Sequence, residues 1–191
     1  MLAFAPAPVL ETSRLILRGW RAEDVPVFAR HNQDPRVMRH FERRYTADET
    51  EAAVARYQAS FRTDGFGFSA VEPKAGGGFI GLVGLARVRF AAAFAPAVEI
   101  GWRLDPDWWR QGLASEAALA ARDFGLATVG LDRIVALTAQ QNMPSQAVMR
   151  KIGMCYDPAS DFDHPDVSEG HPLRPHVLYR ISRADWQGLR A

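Results

Sequence analysis

The residues Gln111-Gly-Leu-Ala114 form the turn of this sequence with the clearest chemical meaning, because they link a predicted strand to an alanine-rich helix. Glycine lets the backbone adopt conformations that leave successive N–H groups unpaired at the start of a helix. The helix dipole also favours negative charge at that end. The pattern therefore predicts a phosphate-binding site at residues 111–114. Taken alone, the same turn also fits an ordinary helix start.

Two common nucleotide-binding patterns do not fit this turn. A dinucleotide fingerprint has G-x-G-x-x-G after a strand, and a P-loop closes with Gly-Lys followed by Ser or Thr. Neither pattern occurs in residues 98–117. The sequence therefore indicates a phosphate site of another kind.

Hydrophobic periodicity and turn residues predict one α/β domain. The front half has the pattern of a meander and residues 98–154 that of a crossover unit, so we expect a mixed, mostly antiparallel sheet flanked by helices. The predicted strands are 14–20, 66–72, 79–88, 98–104, 134–137 and 176–181, and the predicted helices are 22–31, 46–61, 113–129 and 144–152. Residues 157–175 resist assignment, and loops of this length are more often functional or disordered than neutral.

The motifs around this turn, taken in order, resemble the acetyl-coenzyme A (acetyl-CoA) motifs of the GNAT superfamily of N-acetyltransferases. They are Glu99-Ile-Gly-Trp102, Trp109-Arg-Gln-Gly-Leu-Ala-Ser-Glu-Ala117, Asn142-x-x-Ser145 and Lys151-x-Gly-Met154. The early segment Leu10-Glu-Thr-Ser-Arg-Leu-Ile-Leu-Arg18 is similar to the first strand of the branch with the ribosomal-protein N-terminal (alanine/serine) acetyltransferases. The resemblance spans residues 10–185 and implies a single GNAT-like domain with a splayed strand pair for acetyl-CoA.

The same resemblance implies acetyl-CoA as the acyl donor, direct transfer of its acetyl group to a primary amine, and neither a metal nor a second cofactor. It also implies an oxyanion donor among the backbone N–H groups of a bulged strand at 101–103. Many members have glycine where this chain has Arg110, and we expect coenzyme binding to tolerate the change. The residues implied to bind the donor are Trp102, Leu104, Arg110, Gln111, Gly112, Leu113, Ala114, Ser115, Asn142, Ser145 and Lys151.

Glu99 is a carboxylate in an otherwise apolar strand, on the same face as Gly101 and Arg103. One hypothesis makes it the general base, because an amine must lose its proton before it attacks a thioester. The other hypothesis makes it only the ion-pair partner of Arg103. Both remain open at the level of sequence.

Met149 stands where many relatives have a tyrosine that protonates the leaving thiolate. The nearest hydroxyl of the motif belongs to Ser145, in the first turn of the same predicted helix, and we expect it to assist instead. Tyr156 and Tyr179 are alternative donors, and in a purely structural role Ser145 satisfies a backbone donor. Met149 also favours a rival function, a non-catalytic acyl-CoA-binding sensor or scaffold of the same fold.

The composition indicates a cytoplasmic protein of one domain. The chain has 191 residues, 48% of them hydrophobic, a single cysteine and a net charge of +1. A single cysteine excludes an intrachain disulfide, and no stretch reaches the ~18–20 apolar residues of a membrane span. Without a run of basic residues, bulk nucleic acid is not expected as a partner, and neither is a membrane. The spacing of His164, His171 and His176 matches no metal-binding motif.

The amine acceptor stays open at this level. A protein N-terminus, a polyamine, an amino acid and an antibiotic amine each fit, because acceptor pockets in this superfamily are built from its variable segments, here 22–61 and 157–175. The oligomeric state is also open, and a homodimer is among the states that fit.

Overall fold

The computed structural model describes residues 6–189, which form one mixed sheet with helices on both faces. Its strands are β1 Leu10–Glu11, β2 Leu15–Arg18, β3 Phe68–Pro73, β4 Gly81–Arg87, β5 Val98–Leu104, β6 Arg133–Ala139, β7 Cys155–Tyr156, β8 Phe162–Asp163 and β9 Pro175–Ser182. The strand order is β1-β2-β3-β4-β5-β6-β9-β7, with β8 also paired to β9. Among these pairs only β5 and β6 run parallel, so the prediction of a mixed, mostly antiparallel sheet is confirmed.

The helices lie on the two faces of this sheet. They are α1 Asp24–His31, α2 Pro35–Met38, α3 Ala47–Asp64, α4 Leu113–Asp123, α5 Met143–Lys151 and α6 Arg183–Gly188. None of the helices within residues 6–189 is long and apolar enough to cross a membrane.

Two apolar clusters hold the layers together. On one face, Ile100 of β5 packs in the larger cluster with Ala117 and Ala121 of α4, whose small side chains let this helix lie close to the sheet. On the other face, Phe28 of α1 and Val54 of α3 belong to a second cluster. The sheet is therefore the middle of three layers, and β5 has one face toward α4 and the other toward α1 and α3.

The predicted capping box at the start of α3 is present. The Thr46 hydroxyl accepts from the backbone N–H of Glu49 at 3.2 Å, and the Glu49 carboxylate accepts from the N–H of Thr46 at 2.8 Å. The helix then ends at Gly65, whose φ of 76° suits glycine. These local signals explain why the position of α3 could be predicted from the sequence.

Some elements differ from the sequence prediction. The segment 113–129 is an α-helix only to Asp123 and continues as a π-helix, Phe124–Val129, before the left-handed Gly130. At Gly125 a Cβ atom would come within 2.7 Å of Leu85, so this part of the helix lies very close to the sheet. The short helix α2 was not predicted, and the unassigned segment 157–175 contains β8 and a one-turn helix, Pro158–Ser160.

The expected bulge in β5 is also absent from its pairing with β4. Seven successive residues pair in an unbroken register, from Val98 opposite Arg87 to Leu104 opposite Gly81. The prediction of a bulged strand at 101–103 is therefore wrong on this side. The irregularity lies on the other side of β5, where it meets β6.

Gly84 gives a test of the packing between β3 and β4. A Cβ atom there would lie 2.1 Å from the carbonyl oxygen of Gly67 and 2.7 Å from the Cα of Phe68, both backbone atoms. We expect Gly84→Ala to lower the free energy of unfolding by about 3 kcal/mol, because backbone must move to make room. Urea unfolding measures this. Gly188→Ala, which meets nothing within 4 Å, is the control, and equal stability of the two variants would contradict the packing described.

Candidate functional site

The two parallel strands β5 and β6 meet at a single register position and then diverge. Glu99 of β5 is paired with Val135 of β6, and the ladder does not continue toward Leu104 and Ala139. The carboxyl ends of parallel strands point to the same edge of a sheet, so the helices that follow them, α4 and α5, both begin there. These helices contact each other. The split is the splayed strand pair that the resemblance implied.

The turn before α4 presents a continuous run of unpaired backbone donors. The first helical bond is from the N–H of Glu116 to the carbonyl of Gly112. The N–H groups of residues 110–115 have no hydrogen-bond partner among residues 6–189. Arg110 and Gly112 adopt left-handed backbone, with φ of 60° and 78°. For Arg110 this conformation is strained, and such strain is concentrated at functional sites.

Two cationic side chains stand over the same turn. A Cβ atom on Gly112 would lie 3.6 Å from Nη2 of Arg14 and 3.9 Å from Nζ of Lys151. Nη1 of Arg14 also donates to the carbonyl oxygen of Gln111 at 3.0 Å. The helix dipole, the unpaired N–H groups and these charges together make a cradle for a phosphate group.

Sequence reasoning missed Arg14 as part of this cradle. The side chain is held by Glu116 of α4, 2.7 Å from its Nε and 102 positions away in the chain. Burial alone would raise the pKa of Glu116, but hydrogen bonds from Thr12 and Arg14 lower it to about 2, so the ion pair persists at neutral pH. No local signal in the sequence connects two residues so far apart.

Glu99 lies where the split begins, partly buried on the face of β5 that points toward α1 and α3. It forms no hydrogen bond or ion pair with residues 6–189. Burial without a compensating partner raises the pKa of Glu99 to about 7. A carboxylate of this kind is half ionised at neutral pH and therefore able to accept a proton.

The rival interpretation of Glu99, an ion pair with Arg103, is not what the structure contains. Nη1 of Arg103 donates to Oδ1 of Asn32, the buried residue that follows α1. The two residues nevertheless share one face of β5, as strand alternation predicted.

Asn142 and Ser145 come together at the start of α5. Oδ1 of Asn142 accepts from the N–H of Ser145 at 3.3 Å and caps the helix. Its Nδ2 donates to the hydroxyl of Ser145 at 3.1 Å and to that of Thr138 at 2.8 Å. Since the oxygen of Ser145 accepts here, its own proton is free to donate elsewhere.

The other candidate proton donors are placed less favourably. The hydroxyl of Tyr179 is buried, accepts from Arg150 at 2.9 Å and points its proton toward Gln146. The hydroxyl of Tyr156 donates to Asp161 at 2.7 Å. Met149 is 2% exposed and packs in the core.

The remaining residues predicted for donor binding line the split or follow it. Trp102 packs against the larger apolar cluster on the α4 side of β5. Leu104 is buried, and its carbonyl oxygen accepts from the indole of Trp109 at 2.8 Å, which fixes the turn that follows. Leu113, Ala114 and Ser115 form the first turn of α4.

Two of the three histidines considered as metal ligands, His164 and His176, pack against aromatic rings. The rings of His164 and His176 lie 4.8 Å apart beside Phe90 and Phe162. Within residues 6–189 there is no group of three or more His, Cys, Asp or Glu side chains that could hold a metal ion.

The comparison with known families agrees with this geometry. The acetyltransferase (GNAT) domain family matches residues 14–155. The chain therefore belongs to the GNAT family and is an N-acetyltransferase. The GNAT fold uses acetyl-CoA as its donor, which fits the phosphate cradle at residues 110–115.

Two relatives match most of the chain. The N-acetyltransferase YnaD of Bacillus subtilis is 26% identical over 178 residues, which is 93% of this chain and 98% of that protein. The FsC-acetyl coenzyme A-N(2)-transacetylase of Aspergillus fumigatus is 30% identical over 189 residues, covering 94% of this chain and 78% of that protein.

Solved structures show the same fold. An acetyltransferase from Agrobacterium tumefaciens aligns with a TM-score of 0.76 at 27% identity, over 94% of this chain and 96% of that chain. A ribosomal-protein α-N-acetyltransferase in complex with coenzyme A aligns with a TM-score of 0.70 at 17% identity, over 92% of this chain and 98% of that chain. At this identity the second likeness concerns the fold alone.

The cradle predicts the effect of a side chain at position 112. We expect Gly112→Val to weaken acetyl-CoA binding by about tenfold or more, because the new side chain would keep a phosphate from the N–H donors. Calorimetry measures the affinity. Gly130→Val is a matched control. Gly130 has a φ of 80°, so valine there causes similar backbone strain, but at the end of a helix away from the cradle. If both folded variants bind acetyl-CoA as the wild type does, the cradle has been misplaced.

Proposed function

We propose that this N-acetyltransferase binds acetyl-CoA with the pyrophosphate on the N–H groups of residues 110–115 and transfers its acetyl group directly to a primary amine. The observation that carries the proposal is Glu99, an unpaired carboxylate where β5 and β6 separate, with a pKa raised to about 7. The same split brings together the starts of α4 and α5, so donor cradle and candidate base face one cleft. No covalent enzyme intermediate is needed.

The acceptor needs a base because amines are protonated at neutral pH. Removing that proton at about pH 7 costs about 4.6 kcal/mol for a side-chain amine of pKa ~10.4 and about 1 kcal/mol for an α-amino group. Glu99, directly or through water, takes the proton that the amine loses. The amine nitrogen then bonds to the thioester carbonyl carbon, the bond from that carbon to sulfur breaks, and the thiolate leaves.

The backbone of β5 supplies the proposed oxyanion donor. Beyond Glu99, β5 and β6 are no longer paired, so backbone groups of β5 that point to that side are available inside the cleft. An N–H group of residues 101–103 in this position stabilises the negative charge on the carbonyl oxygen during attack.

Ser145 is the group best placed to protonate the thiolate. Its hydroxyl proton is not needed for the hydrogen bond with Asn142, and it lies in the first turn of α5, where the helix dipole stabilises negative charge. Met149 has no proton to give.

The names of relatives support two kinds of acceptor. One relative is named as an N(2)-transacetylase, and a structural neighbour acts on a ribosomal protein. A thiol-release assay with acetyl-CoA therefore needs a panel of small amines and short peptides with free N-termini. Thiol release above the hydrolysis background with any amine supports the proposal, whereas tight coenzyme binding without turnover on the whole panel contradicts it.

Glu99→Gln tests the base. The variant keeps the shape but accepts no proton, so we expect turnover to fall by about 10²-fold or more. Because the base works only when deprotonated, wild-type kcat/KM should rise with pH through the Glu99 pKa of about 7, and Glu99→Gln should lose this inflection. Glu51→Gln removes an exposed carboxylate of α3 and serves as the control. A change under about threefold, with an unmoved pH profile, would leave Glu99 a structural residue.

Ser145→Ala tests the proton donor. Since a thiol of pKa near 8.5 leaves without much help, we expect a modest loss of turnover, on the order of 10-fold to 10²-fold, with little change in coenzyme affinity. Tyr156→Phe and Tyr179→Phe are the matched hydroxyl deletions, and both should turn over near the wild-type rate. Normal turnover by Ser145→Ala together with collapse of either tyrosine variant would reassign the donor.

A further inference from the structure

The strand that carries Glu99 also carries a cation, Arg103, that forms no ion pair with a carboxylate among residues 6–189. Arg103 lies four residues after Glu99 on the same face of β5. Its guanidinium carbon is 4.2 Å from the centre of the Phe41 ring and 5.5 Å from those of Phe28 and Tyr45. Three aromatic rings therefore hold this cation where β5 meets α1 and the segment before α3.

The three nitrogen atoms of Arg103 are in different situations. Nη1 donates to Oδ1 of Asn32, a neutral acceptor, and Nε is buried without a partner among residues 6–189. Nη2 makes no hydrogen bond in that range and is not among the enclosed atoms. One edge of the guanidinium is thus open to the cleft.

Asp105, two positions along the chain, and Asp34, which follows α1, are both engaged by other groups. Asp105 pairs with His31 at 2.8 Å, and Asp34 pairs with Arg36 at 2.6 Å. Glu49 at the start of α3 is paired with Arg43. A partly buried arginine without a carboxylate partner favours an anion that arrives with a ligand.

The surface between Glu99 and Arg103 is apolar. Gly101 lies between them on the strand, and a Cβ atom there would be 3.1 Å from the Phe68 ring. The Tyr57 ring packs on Phe68 with 5.1 Å between centres. Burial raises the pKa of the Tyr57 hydroxyl. The charge of Arg103 lowers this pKa and the charge of Glu99 raises it, so the Tyr57 ring lies near both residues.

The spacing of the two charges sets the length of a ligand that reaches both. Strand rise of ~3.3 Å per residue puts the Cα atoms of Glu99 and Arg103 about 13 Å apart. An α-amino acid has only one carbon between its amine and its carboxylate. The side chains of Glu99 and Arg103 take up part of this distance, and a chain of several methylene groups spans the rest and suits the apolar surface.

We propose that the acceptor is a primary amine that carries a carboxylate several bonds away, and that Arg103 binds this carboxylate as the specificity-determining residue. The inference rests on the proposed function, since it takes the amine to be the group that meets Glu99. A carboxylate, with one negative charge, matches the single positive charge of Arg103. A phosphate dianion would keep one unneutralised charge in apolar surroundings, which is unfavourable.

The test compares two acceptors of the same shape, ε-aminocaproate and its uncharged amide. We expect the wild-type enzyme to prefer the acid by about 10-fold to 10²-fold in kcat/KM, mainly through KM, because a charge-assisted hydrogen bond is lost with the amide. In Arg103→Met the ratio of kcat/KM for the acid to kcat/KM for the amide should fall to about one, and this ratio is the readout. Arg103→Lys keeps the charge without the planar fork and should retain part of the preference.

Arg62→Gln removes an exposed positive charge of α3 and is the charge-matched control, which should leave the preference unchanged. A role for Arg103 only in bracing Asn32 and the aromatic rings would lower activity with both acceptors alike. No preference in the wild type, or an unchanged preference in Arg103→Met, would overturn the inference.

Failure of the proposed function has a different signature, because then no amine is acetylated. Calorimetry with the protein saturated with coenzyme A measures the affinity for ε-aminocaproate and for its amide in the absence of turnover. Tighter binding of the acid that is lost in Arg103→Met supports the inference on its own. Equal binding of acid and amide contradicts it.

Discussion

The structure depends on one constraint, the single register position at which the parallel strands β5 and β6 meet. Glu99 and Val135 form that position, and beyond it the strands separate between two helices that begin at the same edge. The separation leaves backbone groups of β5 without a neighbour and directs the starts of α4 and α5 into one cleft. A regular ladder between these strands would pair the backbone and close the cleft.

The split also has an energetic cost that falls on Glu99. Its carboxylate is removed from water without a partner, so its pKa rises from 4.5 to about 7. Because burial raises the folded pKa, this site allows the highest stability below the unfolded pKa of Glu99, and stability falls as the pH rises from about 4.5 through about 7. The ionised form then costs about 3 kcal/mol of folding free energy at most. The two apolar clusters must offset this loss of folding free energy. A residue that lowers stability in this way is expected to have a role in catalysis rather than in the fold.

The sequence predicted those features whose signals are local. Alternation placed Glu99 and Arg103 on one face of β5, and the Thr46 capping box located the start of α3. The expected bulge in β5 was wrong on the side that pairs with β4, and the irregularity lies where β5 meets β6, a strand that begins 29 residues after β5 ends. The cations around Gly112 include Arg14, fixed by Glu116 across 102 positions. The aromatic rings around Arg103 come from α1 and the segment before α3. Such contacts arise only when the layers pack.

The central claim is that Glu99 titrates near neutrality because of its position in the split. Carbon-detected NMR of the Glu99 side-chain carboxyl, assigned with Glu99→Gln, measures this titration directly. We expect a midpoint near the pKa of about 7, and a midpoint near the ordinary value of 4.5 would contradict the role of Glu99 as the base.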